Sequence, residues 1–223
     1  MKFFLIKVVL IFFIFFFNSV KADNFNAKYT VSTSGLKIGE FSWSLKIKEG
    51  EYNTKVTLKN SGLFSPIYKF TGQYVVSGII EKNKFKTKEY KQYWKTNKKT
   101  KIVEMSFNNY LTKFYQSPDE KELPRLDLYS LSQYFDPITS FINILNGSNQ
   151  AKTIDGRRIY IMERNNIDNS NNISLKIKEY QNIWADHKRN DLDKIEFYLE
   201  NVGFFPKEIY IYFKKRIFKL KKI

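Results

Sequence analysis

Reactive side chains are scarce in this sequence. Histidine occurs once, as His187 in Ala185-Asp186-His187-Lys188-Arg189-Asn190-Asp191, and cysteine is absent. One histidine without a cysteine cannot build the common zinc sites, which take three or four nitrogen and sulfur ligands. Serines are plentiful, but none lies in a Gly-x-Ser-x-Gly elbow. No glycine loop is spaced to cradle a phosphate. The carboxylates are scattered, and most are flanked by lysines. His187 sits in a polar, loop-like stretch, where a histidine is ordinarily solvated. The expectation is a non-enzyme, with no catalytic residue, no metal, no cofactor and no nucleic-acid partner.

What remains is recognition chemistry. Arg157 and Arg158 are adjacent at the start of a predicted strand, so one points to each face. A guanidinium there can hold a carboxylate or phosphate as a fork. A salt bridge at the edge of the core is the competing reading and the one preferred. Tyr210 and Tyr212 alternate with Ile209, Ile211 and Phe213, which puts the tyrosines on the second face of a strand. Tyr198 opposes Phe197 and Leu199 in the same way. Such tyrosines either receive an apolar group or partner or simply cover the sheet. The formal charge is +16, enough to attract anionic lipid head groups or acidic polymers. Arginine, the better phosphate fork, supplies only six of the thirty-eight basic residues. The abundant Lys, Asn, Ile, Phe and Tyr are also what A/T-rich codons supply, so the charge has a genomic explanation beside a functional one.

The elements that position these residues are mostly strands. Phe25, Ala27, Tyr29 and Val31 alternate with polar residues, and Ser34-Gly35 reads as a turn. Phe41, Trp43, Leu45 and Ile47 continue after a slip of phase at Gly39-Glu40, where a glycine can host a bulge. Tyr52, Val56 and Leu58 follow. Tyr68, Phe70, Tyr74, Val76 and Ile80 share one face with Gly72 and Gly78, glycines that let a sheet bend. Shorter strands are predicted near 85–93, 101–107, 110–116, 157–163, 173–180, 194–200, 208–213 and 217–220. Alternation with one polar face argues antiparallel strands.

One segment departs from this period. Ile138, Phe141, Ile142 and Leu145 recur at helical spacing. Asp136 suits the N-cap, Pro137 the first helical position and Gly147 the position after the end. Phe141 and Ile142 should face the sheet and Asn143 the other way.

The N-terminus explains where such a protein works. Lys2 and Lys7 flank a short apolar run through Phe17, followed by Val20-Lys21-Ala22. This pattern is that of a cleavable signal peptide, and the run is too short for a transmembrane helix. Residues 1–22 are therefore expected to be removed after Ala22. That leaves one β-rich domain over 23–223, without a lasting membrane span. Loss of Lys2, Lys7 and Lys21 lowers the charge to +13. No cysteine follows the run to carry a lipid, and none is present for a disulfide, so the core alone must hold the fold.

Several short motifs, taken in order, resemble the DUF3108 family of exported Gram-negative envelope proteins. They are Tyr29-Thr30-Val31 with Gly35-Leu36-Lys37-Ile38-Gly39-Glu40, Tyr52 with Ser61-Gly62-Leu63, and Gly78. Asp136-Pro137-Ile138-Thr139-Ser140, Asp155-Gly156-Arg157-Arg158-Ile159-Tyr160 and Phe205-Pro206-Lys207-Glu208-Ile209 complete the set. The resemblance implies no activity. It implies a fold like the half-barrels of the periplasmic lipoprotein carriers: mainly β, one curved antiparallel sheet or half-barrel, with one short helix packed on the concave face.

The expectation is thus a monomeric, non-catalytic periplasmic protein. An apolar or lipid-like ligand, or an envelope partner, would meet Phe141, Ile142, Arg157, Arg158, Tyr210 and Tyr212. The alternative is an interaction protein that docks on anionic envelope material through its basic, tyrosine-bearing surface. An outer-membrane barrel fits the alternation as well. The helix, the lysine-rich polar faces and the Lys221-Lys222-Ile223 end, which lacks a terminal aromatic, count against it.

Overall fold

The computed structural model describes residues 22–62, 69–167, 172–184, 191–200 and 203–223, apart from the side chain of Asn166. The expected signal peptide up to residue 21, His187, Leu63 and Tyr68 lie outside these residues. The strands are β1 (Asp23–Thr33), β2 (Leu36–Lys48), β3 (Glu51–Asn60), β4 (Phe70–Glu81), β5 (Lys84–Thr96), β6 (Thr100–Asn108) and β7 (Tyr110–Ser117). Then come β8 (Tyr134–Phe135), β9 (Gln150–Ile154), β10 (Arg158–Asn166), β11 (Ile173–Asn182), β12 (Leu192–Tyr198), β13 (Glu208–Phe213) and β14 (Arg216–Lys222). Among the described residues one α-helix, α1, covers Pro137–Leu145.

All the strands belong to one sheet, ordered β7-β6-β5-β4-β3-β2-β1-β14-β13-β12-β11-β10-β9-β8. Each half is a meander, and the two halves join where β1 pairs with β14. Every pairing is antiparallel except β8 with β9. The hairpins β1–β2, β2–β3, β4–β5 and β13–β14 close through two-residue turns. Both central residues of each turn have positive φ: Ser34-Gly35, Glu49-Gly50, Lys82-Asn83 and Lys214-Lys215. That geometry matches the twist of the flanking strands.

The sheet curls further than a half-barrel. At its free edges Tyr110 on β7 forms an antiparallel bridge with Ser132, just before β8. The Arg125 amide donates to the Ile183 carbonyl at 2.7 Å, and Phe114 lies 6.1 Å from Trp184. The result is a nearly closed barrel. Its interior is apolar, with Tyr29, Leu45, Tyr52, Val56, Met105, Met162, Leu175 and Phe197 all buried. The lysines of β3 and β5, such as Lys55, Lys59, Lys88 and Lys91, point outward into solvent. A barrel embedded in lipid has the reverse arrangement, with apolar side chains outside.

Two expectations need correction. The phase slip in β2 falls at Ile38, one residue before Gly39-Glu40, because Val31 pairs with Gly39 and Ser32 with Lys37. More importantly, Asn143 does not face away from the sheet. The helix lies inside the barrel rather than on an open face, so its polar side is enclosed too. Thr139, Ser140 and Asn143 are as buried as Ile138 and Ile142.

Candidate functional site

Two places combine buried charge with built geometry: the space around α1, and the rim where β9 turns into β10.

The helix starts where the sequence dictates. Asp136 accepts the amide hydrogens of Ile138 and Thr139 at 2.9 and 3.1 Å, satisfying donors that the first turn leaves unpaired. Its other oxygen accepts the Thr87 hydroxyl from β5 at 2.6 Å. Asn143 accepts the Phe85 amide at 2.8 Å and donates to the Phe85 carbonyl at 2.9 Å. Phe85 opens β5 just after the β4–β5 turn, so Asn143 extends the ladder sideways into the barrel. Tyr52 on β3 meets the Thr139 hydroxyl at 2.6 Å, and Thr153 on β9 donates to Ser140 at 2.8 Å. Phe141 meets Phe197 on β12 edge to face, with centroids 5.9 Å apart. Ile142 is fully buried and Phe141 is partly buried. The helix is therefore fastened to β3, β5 and β9 by polar contacts and seated on β12 by an aromatic one. Burial pushes the Asp136 carboxyl above its ordinary range, against the opposing pull of its hydrogen bonds from Thr139, Thr87 and Ile138. Gly78 makes room for Tyr52: a Cβ there would strike the Lys86 carbonyl and the Tyr52 ring.

At the rim, Asp155-Gly156 makes the turn into β10. The Asp155 carboxylate accepts the amide hydrogens of Arg157 and Arg158, each at 2.9 Å. Gly156 has φ +83°, and a Cβ there would run into Val103 on β6. The indole of Trp184 donates to the Gly156 carbonyl at 3.2 Å. Both arginines find carboxylates of the same chain. Arg157 pairs with Glu120 at 3.0 Å. Arg158 lies 3.7 Å from Asp155 and 3.8 Å from Asp191, over the Tyr180 ring at 5.5 Å. Burial raises Asp155, and Arg158 opposes the rise. Burial also pushes the Tyr180 hydroxyl up to about 12, again opposed by Arg158. Arg157 thereby ties the segment after β7 to the β9–β10 turn across the closure of the barrel, while Arg158 holds that turn to the start of β12.

Tyr210 and Tyr212 lie elsewhere, on the outer wall of β12–β14. Tyr212 donates to Glu196 at 2.9 Å under the Lys194 ammonium, which sits 4.3 Å from the ring. Tyr210 donates to Glu208 at 2.8 Å beneath Lys219, 5.0 Å from its ring. Tyr198 packs on Tyr210 with centroids 5.0 Å apart. Burial pushes the Glu196 carboxyl up, but its bonds from Lys194 and Tyr212 outweigh that and hold it below the usual range. The six expected contact residues thus fall into three separate groups, on the helix, on the rim and on the outer wall. The sequence reading missed Glu120, Asp155 and Asp191 as partners of the arginines, since each is remote in sequence or reads as a turn residue. It also missed the role of Thr139, Ser140 and Asn143. Three hydrogen-bonding side chains among apolar neighbours in one short helix were the available signal.

Two open concavities on the described surface differ in character, the first polar and the second partly apolar where Ala27 and Trp43 line it. One of about 500 Å³ is bordered by Gly147, Asn149, Arg164 and Asn165. Another, of about 300 Å³, lies over Asn26, Ser42, Ser44 and Lys55. Among the described residues no group of three His, Asp or Glu is placed to hold a metal ion, and no helix is long and apolar enough to cross a membrane.

No curated protein matches the chain. One similar solved structure is a beta-barrel-like protein of the DUF1849 domain of unknown function from Brucella abortus. It is 10% identical with a TM-score of 0.48, covering 92% of this chain and 98% of that one. The model of a protein family of unknown function, DUF3108, matches residues 28–215, nearly the whole described barrel, and the chain belongs to that family.

Proposed function

We propose that this protein is an exported, non-catalytic barrel that works through its outside, docking on anionic material of the cell envelope. The observation that carries this reading is the helix enclosed by the barrel wall. A protein that shelters a lipid needs an apolar cavity of several hundred Å³, and here α1 packs into the interior against β3, β5, β9 and β12. It is held by paired polar groups, whose loss on moving the helix would leave buried donors and acceptors unsatisfied. Binding chemistry is then left to the surface, where lysines dominate. The positive charge favours lipid phosphates or acidic polymers over neutral partners.

Retention of the purified mature protein on isolated envelope material, measured against salt, tests the reading. Strong retention at low salt, falling steeply by physiological ionic strength and above, is the expected result. Retention that ignores salt, or none at all, would overturn it. Native mass spectrometry of protein taken from its own envelope supplies the second arm. A stoichiometric lipid that survives gas-phase release would restore the internal-ligand reading.

A further inference from the structure

We infer that the paired tips of the β1–β2 and β13–β14 hairpins form a membrane-docking edge whose partner is an anionic phospholipid bilayer. The inference rests on the docking reading above and narrows it to one surface and one partner.

The two tips are neighbours because β1 pairs with β14, with Thr33 opposite Phe218 and Ser32 opposite Lys219. Residues 34–37 and 214–217 are all exposed. Each tip carries a large apolar side chain in water: Leu36 is 49% exposed and Ile217 is 47% exposed. Behind them lie half-buried Phe213 and Phe218. Strand alternation sets Phe213 on the inner face with Ile209 and Ile211, and Ile217 on the outer face beside Tyr212. The edge is therefore apolar on both sides. Around it stand Lys37, Lys214, Lys215, Arg216 and Lys219 against the single acid Glu40 within these segments. Glu40 neutralises Lys37 at 2.9 Å, Asp191 lies 3.6 Å from Lys214 and Glu208 lies 3.1 Å from Lys219, so Lys215 and Arg216 carry the edge's excess positive charge.

Charge decides between possible occupants. A second copy would bring the same cations to the same edge, and like charges in contact repel. A neutral apolar partner would leave the cations unmatched. A bilayer with negative head groups matches both features: the apolar tips enter the head-group region while the cations stay among the phosphates. The β13–β14 turn agrees with this. Lys214 and Lys215 both adopt positive φ, at 50° and 59°, a conformation that Asn and Gly adopt with far less strain. The turn therefore carries charge where backbone preference alone would select other residues.

Flotation of the mature protein with vesicles tests the proposal. The probes are phosphatidylglycerol/phosphatidylcholine vesicles, pure phosphatidylcholine vesicles, and a soluble polyanion such as heparin. Binding to the mixed vesicles, and at least tenfold weaker binding to phosphatidylcholine, is expected. Lys215→Gln with Arg216→Gln should weaken vesicle binding on the order of 30-fold, about fivefold per cation. Leu36→Ser with Ile217→Ser should weaken vesicle binding about tenfold and leave heparin binding unchanged. All four positions are exposed, so melting temperatures should match the parent protein and exclude misfolding. Heparin binding without vesicle binding would overturn this inference and leave the docking reading standing. Loss of neither after the Leu36/Ile217 change would place the surface elsewhere. Binding to neither probe would overturn both readings.

Discussion

The helix-filled interior and the outer wall of β12–β14 use the same residue types to different ends. Inside, Tyr52, Asp136, Thr139 and Asn143 make hydrogen bonds that water cannot replace once the barrel has formed. Outside, the half-buried Tyr210, Tyr212 and Glu208 make bonds of similar length at a surface that water reaches, with Glu196 covered beneath Tyr212 and Lys194. A hydrogen bond adds about 0.5–1.5 kcal/mol net in either place, but an orphaned buried partner costs about 1–3 kcal/mol more. The inner set therefore specifies one position for the helix, while the outer set mainly covers the sheet with a soluble layer.

The largest effect should come from Asn143→Ala, which strands both the amide and the carbonyl of Phe85 in the interior. A loss of about 2–5 kcal/mol is expected by chemical denaturation. Ile142→Ala should cost a similar ~2–5 kcal/mol by cavity formation. Tyr212→Phe on the outer wall should change stability by less than about 0.5 kcal/mol. If Asn143→Ala proved as mild as Tyr212→Phe, the contrast between inside and outside would fail.

Phe141→Ala gives an intermediate test, because the ring is only partly buried yet touches Phe197. About 2–3 kcal/mol is expected, below the full range for a deeply buried phenylalanine. A change that left stability intact but released a bound lipid would instead mark the helix as a lid.

Acid titration sharpens the contrast by sign. The Asp136 and Asp155 carboxyls are raised by burial. Their contribution to stability is fully present below the ordinary aspartate pKa and is lost as pH rises through the raised values. Asp136→Asn keeps a good N-cap and should flatten that part of the stability curve. Glu196 is lowered by Lys194 and Tyr212. Its contribution is present above the ordinary glutamate pKa and disappears as pH falls through the lowered value. Glu196→Gln should therefore weaken the protein slightly at neutral pH and not in acid. Identical pH profiles for the two variants would contradict the assignment.

Much of this was legible in the residues. Period-two alternation located twelve of the strands, because one face of each is apolar and the other polar. Asp136, Pro137 and the Ile138/Phe141/Ile142/Leu145 spacing located the helix and its start. The short strands β8 and β9 were not legible, since Tyr134-Phe135 is too brief to show a period. Gln150-Ala151-Lys152-Thr153-Ile154 has small or polar residues at its inward positions. Asn143 was misplaced because a helical wheel assigns polar side chains to solvent. That rule fails for a helix enclosed by a barrel, where polar groups pair with the wall. The arginine partners Glu120 and Asp191 depend on curvature that brings distant segments together, which no local pattern encodes.

Hydrogen exchange at the Phe85 amide, followed against denaturant in native conditions, tests the fixed-plug claim most directly, because that hydrogen is held by Asn143 from the helix. Exchange only through global unfolding, with the same free energy and denaturant dependence as the slowest core amides, is the expected result. Exchange through a local opening several kcal/mol cheaper and insensitive to denaturant would show that the helix leaves its seat while the barrel stays folded, and the interior would again be a candidate ligand site.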